Sequence, residues 1–228
     1  MERFFDKELE QLYRKLKDMA ELVKNSIQNS IDSLKSKDQK LAQKVIDEDR
    51  FIDELEISID EACLELIARR QPVAYDLRFI TMVMKITTDL ERIADLSVDI
   101  AQRVLELLDK PLLKPLIDIP KLSELAQRMV KSAIDSFINQ DTHLAKEVCL
   151  SDDEVDKLRD LIQDELIYDY MVKDSSTVPR AIPLLLIARH LERICDHATN
   201  IAEDIIYMIQ AKIVKHHREK LENNNDKK

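Results

Sequence analysis

Glycine is absent from all 228 residues, although average usage of about 7% would place roughly sixteen in a chain of this length. Its absence excludes the phosphate-binding P-loop, the dinucleotide-binding turn, the nucleophile elbow and the Asn-Gly hairpin, each of which needs a residue without a Cβ. Tryptophan is also missing and aromatic residues make up only 4%, too few for a β-sandwich core or a base-stacking platform. Basic residues fall short of acidic ones, 35 against 45, and the formal net charge of -10 has the wrong sign for neutralising nucleic-acid phosphates. The three cysteines, Cys63, Cys149 and Cys195, are an odd number with no C-x-x-C spacing, which fits reduced thiols in a cytoplasmic chain. No uncharged apolar run outlasts Ala181–Ala188, far short of the roughly 20 residues that span a bilayer. The opening MERFFDKELEQL lacks the basic-then-apolar order of a secretion signal, so a soluble, unexported chain is expected.

Charged residues at 35%, together with abundant Leu, Ile, Ala, Lys and Glu, point to long amphipathic helices and an all-α fold. Asp38 is placed to cap a helix in which Val45, Ile52, Leu55, Ile59, Ala62 and Leu66 recur at helical steps, ending near Arg69 and Arg70. After Pro72 a second stripe runs through Ile86, Leu90, Ile93, Ser97, Ile100 and Val104 and stops before a cluster of Pro111, Pro115 and Pro120.

Beyond that cluster the pattern repeats. With a shift of 103 residues, Ile31, Asp32, Ser33, Asp38, Leu41, Ala42 and Val45 meet identical residues at Ile134, Asp135, Ser136, Asp141, Leu144, Ala145 and Val148. With a shift of 101, DLERIADLSVDIA from Asp89 lies over HLERICDHATNIA from His190. This predicts a tandem repeat of two antiparallel three-helix bundles, six helices in all. Residues 1–110 would form the first repeat, 111–120 a Pro-rich linker, 121–215 the second repeat, and 216–228 a charged, disordered tail.

Acidic pairs four residues apart fall at repeat-equivalent positions: Asp49 with Asp53, Glu91 with Asp95, Asp152 with Asp156, and Glu192 with Asp196. Adjacent helical turns put such carboxylates about 5–6 Å apart at Cβ, close enough to share a cation. On the helical wheel Glu192 and Asp196 lie off the apolar stripe toward solvent, while Asp49 and Asp53 flank theirs. Glu56 with Asp60 and Asp160 with Asp164 look like the background expected from an acid-rich composition. Periodicity alone leaves two readings open: a solvated face with Arg50, Arg92 and Arg193 as partners, or oxygen sites for a hard or borderline ion such as Mg²⁺, Mn²⁺, Fe or Ni²⁺.

No histidine stands three residues after a glutamate, so the paired motif of di-iron bundles is missing. His190 and His197 bracket the Glu192 and Asp196 pair, but their first-half counterparts are Asp89 and Leu96, so satisfied surface histidines are expected. No Ser or Cys joins a His and an acid in a nucleophile system, and no enzyme is expected. Met82, Met84, Met171 and Met208 read as core residues.

The segment QPVAYDLRFITMVMKITTDLERIADLSVDIA (71–101), its degenerate copy LERICDHATNIAEDIIYM, and DEDRFIDELE resemble the PhoU family of phosphate-transport accessory proteins over nearly the whole chain. The resemblance implies a dimeric cytoplasmic regulator without enzymatic activity. It would act between the phosphate ABC transporter ATPase and a sensor histidine kinase, on the inner face of the membrane through its partners, as a negative regulator of phosphate-starvation signalling. It also implies metal ions, Fe, Mn, Mg, Ni or Zn and multinuclear in some members, on the acidic pairs. Glu56 gives way to Arg159 and Asp99 to Asn200 in the second copy, so the first site is expected to bind metal more tightly. The competing expectation is a metal-dependent phosphohydrolase using the clustered carboxylates.

Overall fold

The computed structural model describes residues 4–214, and the expected tail from 216 onward lies outside them. Within the described residues there is helix and no strand: α1 (Phe4–Ser36), α2 (Gln39–Arg70), α3 (Ala74–Leu107), α4 (Asp118–Asn139), α5 (Thr142–Leu150), α6 (Asp152–Asp164) and α7 (Val178–Gln210). The first three form one bundle. In the second, α5 and α6 together occupy the place of α2.

The corners are built alike in the two halves. The Asp38 carboxylate accepts hydrogen bonds from the backbone of Lys40 and Leu41, and Asp141 does the same for His143 and Leu144. One residue earlier, Lys37 and Gln140 take left-handed backbone angles, with φ of 54° and 51°. The Asp38 and Asp141 N–H groups then reach back to the Ser33 and Ser136 carbonyls, at 3.1 and 3.0 Å. At the far end of α2, Gln71 is left-handed too, and Pro72 prevents the helix from resuming.

The expected fifth helix is not continuous. It breaks at Ser151, whose hydroxyl donates to the Glu147 carbonyl at 2.9 Å and bends the chain by satisfying the acceptor from the side. After α6 it widens into a π-helical turn, Glu165–Met171, closed by Val172 N–H to the Ile167 carbonyl at 2.9 Å. Helix α4 begins at Asp118, inside the expected 111–120 linker. Before it, the linker carries Lys114, which is buried and donates to Glu165, pinning the crossing to the π-helical turn.

Helices α3 and α7 form the central spine. Their expected stripes, including Ile86, Leu90, Ile93, Ile100, Leu191, Ile194 and Ile201, are fully buried, and the buried apolar residues of both repeats form one continuous core. Cross-links run antiparallel along the spine. Arg78 Nε donates to the Met208 carbonyl at 3.2 Å, Lys85 pairs with Asp204 at 3.3 Å, and Asp89 meets His197 at 2.7 Å. At one end Tyr13, Phe137 and Phe79 stack in sequence, with centroids 5.0 and 5.7 Å apart, and Tyr13 OH donates to the Ile138 carbonyl.

Candidate functional site

The eight paired carboxylates gather in two seams, one between α2 and α3 and one between α6 and α7, as the repeat predicts. Asp53 and Asp196 are exposed, as the helical wheel suggests, but the two glutamates are less solvated than it implies. The side chains of Glu91 and Glu192 are only 16% and 22% exposed, because the neighbouring helix covers a flank that a single-helix projection leaves open.

In the first seam Asp49 and Asp53 on α2 face Glu91 and Asp95 on α3. Burial, then the charges of Asp53 and Asp95, pushes the Asp49 carboxyl up to about 6. Burial and then Asp95 push Glu91 up to about 7, with Arg92 opposing and Glu56 and Asp53 adding to the rise. Asp49 Oδ1 and Glu91 Oε2 are buried and have no hydrogen-bond donor. Arg92 Nε stands 3.4 Å from Glu91 Oε2, an ion pair without a hydrogen bond, and its Nη1 lies 3.2 Å from Asp95. Arg50, expected as a partner, lies instead over the Phe51 ring at 4.8 Å.

Glu56 and Asp60, set aside as compositional background, belong to this seam. Burial raises both carboxyls, and a further buried oxygen, Asp60 Oδ1, also lacks a donor. The available signal was their spacing, since 49, 53, 56 and 60 follow one another at helical steps on the flank of α2.

The second seam is built differently. Asp152 lies in the first turn of α6, where the helix dipole favours an anion, a position created by the break at Ser151. Arg159 reaches Asp156 at 3.3 Å, Asp160 at 2.9 Å and Glu192 at 3.7 Å. Burial, then Glu192, Asp152 and Asp156, pushes Asp196 up to about 6, with His197 opposing. A cleft of 430 Å³ beside it is lined by Arg159, Arg189 and Arg193 as well as Glu192 and Asp196.

His190 and His197 are not surface residues. His197 Nδ1 is 2.7 Å from Asp89 Oδ1 and so bridges the two repeats along the spine, while His190 Nδ1 faces Asp99 across the same spine at 3.8 Å without a hydrogen bond. Burial lowers the His190 imidazole, with Asp99 opposing. All three cysteines are buried, and burial followed by Asp60 pushes the Cys63 thiol up to about 12, an unreactive state.

Among the described residues no three His, Cys, Asp or Glu side chains already stand together as a metal site. The chemistry of the first seam nevertheless suits a hard or borderline cation: it offers only oxygen donors, three of its buried oxygens lack hydrogen-bond donors, and the Asp49 and Glu91 carboxyls are held back from ionising by burial and by neighbouring carboxylates. In the second seam a guanidinium already supplies positive charge.

An all-helical chain of two like bundles sharing one spine, with acidic seams where an outer helix meets that spine and no described helix long and apolar enough to cross a membrane, defines a tandem helical-bundle protein. The PhoU domain model matches it twice, over residues 16–104 and 119–205, once in each bundle. The chain belongs to the PhoU family. It is 42% identical over 210 residues to the phosphate-specific transport system accessory protein PhoU homolog of Aquifex aeolicus, covering 92% of this chain and 95% of the relative. The crystal structure of PhoU from Pseudomonas aeruginosa superposes with a TM-score of 0.88 at 35% identity, covering 91% of this chain and all (100%) of that one. The phosphate transport system regulatory protein PhoU from Streptococcus pneumoniae gives 0.85 at 28% identity, covering 92% and 99%.

Proposed function

We propose that this chain is a cytoplasmic accessory protein of a phosphate transport system, a non-enzymatic adaptor between the transporter ATPase and a sensor histidine kinase that holds phosphate-starvation signalling off when phosphate is plentiful. The observation that carries this reading is the double PhoU-domain match on two intact bundles, together with near full-length relatives named as transport accessory proteins. The burial of every cysteine and the engagement of His197 with Asp89 across the spine further support a non-enzymatic role.

The first acidic seam supplies a cation site in this reading. Asp49, Asp53, Glu91 and Asp95, with Glu56 beside them, would hold the ion, and it would offset the burial and neighbouring negative charge that now oppose ionisation of Asp49 and Glu91. Exposed Phe51, Ile57 and Leu64 on α2 supply apolar surface for a homodimer.

Deletion of the gene in the native cell tests the adaptor. Phosphate-starvation genes should be expressed in high phosphate, and capture of the tagged protein should recover the ATPase and the kinase. Normal repression in the deletion strain would overturn the reading. Phosphoester turnover by the metal-loaded protein, abolished by Asp95→Ala, would replace it with a phosphohydrolase.

A further inference from the structure

We propose that in the second repeat Arg159 occupies the electrostatic role of a metal ion, so that this chain takes up metal in its first repeat alone. The inference rests on the reading of the acidic seams as cation sites and specifies which of the two is one.

Arg159 aligns with Glu56, so one repeat places a cation where the other places an acid. Its guanidinium touches carboxylates on both helices of the seam, Asp156 and Asp160 on α6 and Glu192 on α7, which is the bridging position of a shared ion. The first seam has no counterpart. Arg92 approaches Glu91 and Asp95 from their own helix and leaves buried oxygens of Asp49, Asp60 and Glu91 without donors, whereas no buried carboxylate oxygen of the second seam is left so, Asp196 there being exposed to solvent.

Two neighbouring exchanges act in the same direction. Asp60 becomes Gln163 and Thr88 becomes Arg189, so these three positions carry two negative charges in the first repeat and two positive charges in the second. The start of α6 at Asp152 adds the positive end of a helix dipole that mid-helix Asp49 does not have. A guanidinium stays protonated at any pH the fold survives, so it cannot step aside by losing its charge. A divalent ion entering the second seam would meet a fixed positive charge within a few ångströms and would compete with it for the same oxygens.

The test is equilibrium dialysis of the full chain against Mn²⁺, counting ions bound at fixed free metal. Asp49→Asn with Glu91→Gln should weaken binding at least ~10-fold, since the first seam then lacks two ligands. Adding Arg159→Glu to that background should restore Mn²⁺ binding, and Asp196→Asn should remove it again. Arg159→Gln, which removes the positive charge without adding a negative one, guards against misfolding of the glutamate variant, and it should also admit Mn²⁺.

If the double variant retains about half of the parent's Mn²⁺ and loses it on Asp152→Asn with Asp196→Asn, the second repeat binds metal beside Arg159. The proposal is then overturned while the metal reading stands. If the parent binds no Mn²⁺, the metal reading falls. In that case uptake gained by Arg159→Glu or Arg159→Gln still upholds the role of Arg159, and no gain in either variant overturns it.

Discussion

Asp49 and Glu91 carry carboxyls whose surroundings favour the protonated form, and this sets the sign of a pH effect. Their ordinary values are 3.8 and 4.5, and in the folded chain they rise to about 6 and about 7. The folded state binds these protons more tightly than the unfolded one. Their contribution is therefore fully present below about pH 4 and is lost as pH rises through about 6 to 7. In a chelator, the melting temperature of Asp49→Asn with Glu91→Gln should gain on the parent between pH 5 and pH 7.5. Parallel profiles for parent and variant would show that the first seam is screened by solvent. A bound divalent cation reverses the preference by favouring the ionised form, so Mn²⁺ should raise the parent's melting temperature more at pH 7.5 than at pH 5.

At the scale of the element, a chain without glycine still has to turn its helix ends. Lys37, Gln71, Gln140 and Ala211 all sit in the left-handed region that glycine occupies without steric cost. Gln140 is exposed and its backbone N–H already closes the corner to Phe137 and Ser136, so Gln140→Gly should stabilise the fold by about 0.5–1 kcal/mol, read as a higher urea midpoint at unchanged slope. A lower midpoint would mean that the glutamine's restriction of the unfolded chain outweighs its strain. Much of this level was legible beforehand. The Asp38 cap, the end of α2 at Arg70 and the buried stripe of α3 follow from residue type and period within one helix. The burial of Glu91 and Glu192 was not legible, because it depends on what a neighbouring helix presses against that face, and the break at Ser151 and the π-helical turn escaped because the apolar period of the segment fits an unbroken helix equally well. The contacts of His190 and His197 escaped for the same reason. Their partners, Asp99 and Asp89, come from the other repeat, at a register that no single-helix pattern contains.

For the whole molecule, the spine of α3 and α7 joins the two bundles through buried apolar residues, whereas the covalent link between them is a short Pro-rich crossing. A protease site inserted between Leu112 and Leu113 should therefore be cleavable without separating the halves, which should co-elute at the parent's volume in size exclusion. Separation into two species would show that the link, and not the spine, holds the repeats together. The spine resembles the two-fold interface of a dimer, in that Asp89 and His190 are equivalent positions and each finds its partner in the other half. In a true dimer of one gene product every substitution appears twice, so an arginine that neutralises one acidic seam would neutralise both. Joining the halves in a single reading frame removes that constraint. Selection can then change Glu56 and Arg159 separately, and one half is free to specialise while the other retains its ancestral chemistry.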